Sequence, residues 1–242
     1  MTIKKYIPDF ITSLNLLCGT VGIVCTMDGR LDYAFCLMLA AAVFDFCDGL
    51  AARMLDAYSD LGKELDSLSD VVSFGVLPSL MLVQLMRACS FSDSPICLMP
   101  LLIAVFSGLR LAKFNIDERQ HSSFIGAPTP LCAILAGSLC YYVASTPESF
   151  LGVWASGPMF IPLLSLLICY LLVSNIPMFA FKFGRNMEAD QTLKWKRITM
   201  VALALLIIIA TVSIFKSDWS LAVLLICAVY ILKNCIYAIF KI

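Results

Sequence analysis

The chain has 242 residues, 61% of them hydrophobic and 14% charged, with a mean hydropathy of +0.92. A soluble domain is about half apolar and about a quarter charged, so this composition excludes an ordinary soluble globule and predicts an all-α, polytopic membrane helix bundle. With 17 Lys and Arg against 17 Asp and Glu the formal net charge is zero, and without a basic, aromatic-interleaved patch nucleic acid is not an expected partner.

Taken in chain order, apolar windows predict about eight spans, at roughly 10–27, 31–53, 63–87, 96–114, 128–145, 158–174, 198–215 and 219–240. The N-terminal stretch MTIKKYIPDFITSLNLLCGT has two lysines and an apolar run but no small-residue cleavage site after it. It reads as a retained first span, not a signal peptide. Pro78 falls inside the third window and predicts a kink. Pro158, Pro162 and Pro177 crowd the short sixth window. The polar segment Lys182–Arg197, between the sixth and seventh, reads as a solvated basic loop near anionic headgroups. No polar stretch is long enough to fold alone, so no separate soluble domain is predicted. The 11 cysteines are scattered through apolar runs without a C-x2-C pair, which fits small buried side chains better than a zinc site or disulfide framework.

Lysine and arginine set the expected orientation. With the N-terminus inside, the inner segments hold Lys4, Lys5, Arg53, Lys63, Lys113, Arg119, Lys182, Arg185, Lys194, Lys196, Arg197 and Lys241. The outer turns hold Arg30, Arg87 and Lys216. Both termini are therefore expected in the cytoplasm, in the cell membrane.

The stretch from Asp45 to Asp70, DFCDGLAARMLDAYSDLGKELDSLSD, has a different character. Asp45 and Asp48 are spaced i, i+3, and Asp66 and Asp70 are spaced i, i+4, so each pair shares one helix face. Gly49 and Arg53 continue the first face, and apolar segments flank both pairs. This predicts two antiparallel helices, joined by a polar turn around residues 56–60, each carrying an acidic pair near one end. Acids at a membrane need compensation. Hard oxygen ligands in this number suit two divalent cations, Mg²⁺ or Mn²⁺, and a carboxylate-bridged pair suits phosphoryl chemistry. Gly49 has no Cβ to block close approach of a ligand. Arg53 offers a planar fork of donors. Gly62 is expected to allow close helix packing, with Lys63 and Glu64 solvated.

The pattern D-x2-D-G-x2-A-R-x8-G-x3-D-x3-D is filled at every position, and it resembles the signature of the CDP-alcohol phosphotransferases, membrane enzymes that make phospholipids from CDP-activated lipids. The resemblance implies that Asp45 and Asp66 bridge two metals, that Asp48 binds one and Asp70 the other, and that Asp70 is the general base. It also implies that Gly49, Arg53 and Ser59 contact the CDP moiety, and that the enzyme is a homodimer. ELDSLSDVVSFGVLPS, GLRLAKFN and FIGAPTP, and the pairing of IPDFITSLNLLCG with SNIPMFAFKF, are similar to the membrane-type phosphatidylserine synthases. That similarity implies transfer of a phosphatidyl group from CDP-diacylglycerol to the hydroxyl of L-serine, releasing CMP. It covers most of residues 1–183, expected as the catalytic helical core, with 184–242 a cytoplasmic loop and a C-terminal helical hairpin of the same membrane domain. Asp9 departs from the pattern, where asparagine is expected. Either it meets the nucleotide with an added negative charge, or it caps the first helix.

A site selecting zwitterionic serine should offer a cation to its carboxylate. Arg110 sits in an otherwise apolar span and reads as that carboxylate ligand or as a structural partner of an aspartate. Lys113 and Asn115 follow on the same helix end as further acceptor candidates. Lys113 also reads as a positive-inside anchor and Asn115 as a helix C-cap. FIGAPTP reads as a rigid turn entering a helix, shaping the acceptor pocket by resemblance. His121, in a charged loop, is a weaker candidate base. Glycerol 3-phosphate or an inositol phosphate are the alternative acceptors, though either calls for a denser basic cluster. A cation transporter would carry its polar residues across the whole membrane, whereas these acids cluster at one end.

Overall fold

The computed structural model describes residues 6–88, 94–116, 124–178, 191–214 and 218–240. Its helices are α1 (Tyr6–Met27), α2 (Leu31–Leu55), α3 (Asp60–Asp70), α4 (Leu77–Met86), α5 (Leu102–Ile116), α6 (Thr129–Ser145), α7 (Phe150–Ala155), α8 (Phe160–Val173), α9 (Gln191–Ile208) and α10 (Trp219–Phe240). The one pairing of strands among the described residues is a two-residue antiparallel pair, β1 (Phe124–Ile125) with β2 (Pro177–Met178). Among the described residues, five helical runs are long and apolar enough to cross a membrane: Tyr6–Met27, Leu31–Leu55, Asp60–Met86, Pro95–Ile116 and Trp219–Ala238. Three shorter apolar helices, Thr129–Ser145, Phe160–Val173 and Ile198–Thr211, lie at the other expected windows.

The bundle is apolar outside as well as inside. Phe10, Val24, Phe46, Val105, Leu163 and Leu206 are all exposed, as a lipid-facing surface requires and an aqueous one penalises. The centre belongs to α4 and α6. Met81, Leu82, Ala133 and Ala136 are fully buried there with Phe35 and Met38 of α2. Gly137 lets α2 close on α6, because a Cβ there would sit 2.0 Å from Met38 Cε.

Helix α1 packs by a different rule. Its buried residues are Pro8, Thr12, Asn15, Gly19, Gly22 and Thr26, a stripe of small and polar residues at helical spacing. Such stripes let membrane helices approach closely and hydrogen-bond across the seam. A Cβ on Gly19 would meet Ser73, and one on Gly22 would meet Leu77. The helix ends in a Schellman turn: Arg30 N–H bonds Cys25 O at 2.9 Å and Gly29 N–H bonds Thr26 O at 3.0 Å, with Gly29 at φ +77°.

The run from Asp60 to Met86 is continuous, but Val71–Val76 is π-helical. This accounts for Pro78 without a break. The wider turn hands the Leu77 N–H to Val72 O before the proline, which has no N–H to give. Part of the expected basic loop is also helical, since α9 starts at Gln191. The rest of it, and His121, lie outside the described residues.

FIGAPTP is the rigid turn expected, and its partner is the SNIPM segment. Gly126 N–H bonds Ile176 O and Ala127 N–H bonds Leu171 O, both at 2.9 Å. Gly126 has φ +82°, and a Cβ there would lie 2.7 Å from Leu172 O. Left-handed geometry costs a non-glycine residue about 1–2 kcal/mol before any clash is counted. Gly126→Ala is therefore expected to lower the apparent melting midpoint in detergent by about 5 °C or more, read by intrinsic fluorescence.

Candidate metal and nucleotide site

Helix α2 stops where Asp56 turns left-handed, at φ 47°. Ser59 then caps α3, its Oγ accepting from Gly62 N–H at 2.9 Å. The reversal is tight, so residues equidistant from it come level. Asp48 lies two turns before the end of α2 and Asp66 under two turns into α3, each roughly 10 Å from the turn. Oxygens of Asp45, Asp48 and Asp66 consequently lie within 4.8 Å of one another. Asp70 stands beside this group of three, close enough for Asp45 and Asp66 to act on it electrostatically. The structure thus brings together all four aspartates singled out by spacing.

Three like charges this close repel by about 3 kcal/mol per pair or more, even at an effective dielectric of ~20. None of the four forms an ion pair with a described lysine or arginine. Asp48 is buried, and Asp66 Oδ1 is buried with no hydrogen-bond partner. An oxygen so placed costs about 1–3 kcal/mol unless something coordinates it. Hard, converging, acceptor-only ligands with an orphaned lone pair fit a divalent cation.

Helix α1 roofs the cluster with two residues that spacing did not single out. Thr12 Oγ1 donates to Asp48 Oδ2 at 2.7 Å, and Asn15 Nδ2 approaches Asp70 Oδ1 at 3.5 Å. Ser69 Oγ reaches Thr12 O and Ser73 Oγ reaches Asn15 O, so α3 and the π turn are stitched to α1 on both sides of Asp70. The available signal was periodicity: Thr12 and Asn15 are polar residues on one face of an apolar helix.

Beside the acids lies a cavity of about 220 Å³ lined by Gly49, Ser59, Gly62, Lys63 and Asp9, with Asp48 and Asp66 at its edge. Nothing lies within 4 Å of a Cβ built on Gly49, so that face of α2 is open to a ligand. Asp9 sits in the first turn of α1 and turns towards the cavity, where its Oδ1 would be 2.7 Å from a Cβ on Gly62. The helix-cap reading of Asp9 is replaced by a cavity-lining one, and Gly62 serves the close approach of α1 to α3. Lys63 is exposed, as expected, and also borders the cavity. Arg53 does not line it. Its Nε donates to Gly49 O at 2.9 Å and its side chain is exposed.

The acceptor candidates separate. Arg110 is buried. Its Nη1 donates to Thr129 Oγ1 at 3.1 Å, its Nε has no partner, and its charge acts on Asp70. Lys113 is exposed. Asn115 lies inside α5 and not at a cap. Its Nδ2 donates to Ser67 Oγ at 2.9 Å, tying α5 to the acid-bearing helix.

Residues 5–161 match the family model described as CDP-alcohol phosphatidyltransferase. The chain is 32% identical over 189 residues to a CDP-diacylglycerol–serine O-phosphatidyltransferase of Bacillus subtilis, covering 77% of this chain and 98% of that protein. It is 37% identical over 135 residues to an archaetidylserine synthase of Methanothermobacter thermautotrophicus, covering 54% of this chain and 56% of that one. A CDP-diacylglycerol–serine O-phosphatidyltransferase of Mycobacterium tuberculosis is 36% identical over 182 residues, covering 72% of this chain and 61% of its own length. The chain thus spans about three fifths of the archaeal and mycobacterial relatives.

Outer-shell hydrogen bonds to metal ligands typically govern affinity by 10–100-fold. Thr12→Val is therefore expected to weaken Mn²⁺ binding about tenfold or more, measured by titrating the purified protein and reading free Mn²⁺ by electron paramagnetic resonance.

Proposed function

Because the chain belongs to the CDP-alcohol phosphatidyltransferase family, we propose that it transfers a phosphatidyl group from CDP-diacylglycerol to the hydroxyl of L-serine, giving phosphatidylserine and CMP. The observation that carries the reading is the convergence of Asp45, Asp48, Asp66 and Asp70 beside an open cavity. Asp45, Asp48, Asp66 and Asp70 would hold two divalent cations, Mg²⁺ or Mn²⁺, whose charge would offset that of the diphosphate and of the displacement.

The remaining work falls to the protein's own groups. The nucleotide lies in the cavity along the bare Gly49 face, with the Ser59 hydroxyl and Lys63 within its lining. Arg53, held by its bond to Gly49 O, must swing to reach a phosphate. Asp70 accepts the proton of the serine hydroxyl. The serine oxygen then bonds to the lipid-side phosphorus, the bridging P–O bond breaks, and CMP leaves with the electron pair. Thr12 and Asn15 hold Asp48 and Asp70 in place, so that little reorganisation remains for the reaction itself. Arg110 takes the serine carboxylate through its unpartnered Nε, with Thr129 fixing the guanidinium plane.

Serine is favoured over glycerol 3-phosphate or inositol phosphate because, among the described residues, the buried cation near the acids is a single arginine, with Lys113 exposed. The names of the relatives agree on serine and differ in the lipid. The lysine and arginine asymmetry supports a cytoplasmic location for the acids, both termini and the site, in a cell-membrane bundle of about eight spans. Residues 1–183 form the catalytic core, and the active species is a homodimer.

Purified protein with Mn²⁺ or Mg²⁺ and CDP-diacylglycerol is expected to release CMP with L-serine, and not with glycerol 3-phosphate, inositol or inositol phosphate. No release with serine ends the reading. Asp70→Asn is expected to lose about 10²-fold or more of turnover. Arg110→Ala should raise the serine KM, with Arg110→Lys restoring only part of it because the planar fork is gone. An unchanged KM would remove the carboxylate contact.

A further inference from the structure

Among the described residues, five buried side-chain atoms have no hydrogen-bond partner: Asn15 Oδ1, Asp66 Oδ1, Ser107 Oγ, Arg110 Nε and Ser220 Oγ. Three of them belong to residues around Asp70: Asp66 is one turn before it, Asn15 reaches it from α1, and the charge of Arg110 acts on it from α5. The π turn makes this arrangement. It presents Ser73 to Asn15 O at 3.1 Å and Gly75 to Ser107, whose Cβ would be 3.1 Å from a Cβ on that glycine. Helices α1 and α5 each supply a polar group to the same carboxylate, Asn15 from one and Arg110 from the other. Buried polar groups are rarely left unpaired, so a cluster of them in one place marks groups waiting for a ligand.

Their chemistry differs in a useful way. Arg110 Nε is a donor and Asn15 Oδ1 is an acceptor. The orientation of the amide follows from its neighbour: Nδ2 faces the Asp70 carboxylate, since an oxygen there would be repelled, and Oδ1 must then point away. Asn15 is fully buried.

We propose that Asn15 is a specificity-determining residue whose Oδ1 accepts a hydrogen bond from the ammonium group of the amino-acid acceptor. The proposal rests on the serine reading above. The acceptor is then held at three points: its carboxylate on Arg110, its hydroxyl at Asp70 and its ammonium on Asn15. Three different contacts fix the orientation of one small zwitterion. Glycerol 3-phosphate or an inositol phosphate has no cation for the third contact and can offer the amide oxygen only a neutral hydroxyl, a weaker donor than an ammonium.

The test compares L-serine with 3-hydroxypropanoate, which keeps the hydroxyl and carboxylate and lacks the ammonium. KM and kcat are measured by CMP release for the wild type, Asn15→Ala and Asn15→Asp. Wild type is expected to show a KM for 3-hydroxypropanoate about tenfold or more above that for serine, the size of a lost charge-assisted hydrogen bond. Asn15→Ala should raise the serine KM by a similar factor and the 3-hydroxypropanoate KM by much less. Asn15→Asp, which keeps an acceptor oxygen, should retain the preference for serine. Equal KM values in the wild type overturn the proposal without recourse to any variant. An equal fall in kcat for both acceptors in Asn15→Ala also overturns it, leaving Asn15 as a support for Asp70 alone. Failure of the serine reading looks different, since wild type then releases no CMP with serine at all.

Discussion

Four carboxyl groups held against one another at the end of two membrane helices are the constraint on which the site depends. Like charges at this range, away from bulk water, repel more strongly than a single helix-to-helix contact attracts. The arrangement persists because each acid is restrained by its own helix and by a neighbour. Asp45 and Asp48 are fixed to one face of α2, and Asp66 and Asp70 to one face of α3. The short turn through Asp56 and Ser59 leaves the two faces no option but to meet. A cation bound in the middle would turn that mutual repulsion into coordination, and binding of the metal and stability of the bundle would then be linked quantities.

The seam between α1 and the acid-bearing helix explains how polar chemistry is tolerated within an apolar bundle. Leucines along that face would have kept α1 at an ordinary interhelical distance and out of reach of the carboxylates. Glycines at 19 and 22 let the backbones close, and closeness lets Thr12 reach Asp48 and Asn15 reach Asp70. Packing and polar positioning therefore come from the same stripe. The π turn after Asp70 extends this logic. The wide turn brings Ser73 onto α1 and Gly75 against Ser107 of α5, a use of local irregularity often found at functional sites.

Farther out, the FIGAPTP and SNIPM segments form a second anchor. Gly126 is threaded between carbonyls at the end of α8, and this fixes where α6 begins. Thr129, in the first turn of α6, then holds Arg110. Backbone geometry that looks remote from the chemistry thus sets the direction of the buried cation.

The sequence by itself determined much of this protein. Hydropathy located the helices, because a chain in lipid must satisfy its backbone within each segment. Spacing of i, i+3 and i, i+4 located the four acids, because helix periodicity is local. The tertiary structure decided what depends on residues far apart in the chain. Thr12 and Asn15 became neighbours of Asp48 and Asp70, 36 and 55 residues away. Asn115 proved to be a strut to Ser67, and Asp9 and Lys63 proved to line the cavity. Which face of a helix meets which partner is a property of packing between helices, and no single helix encodes it.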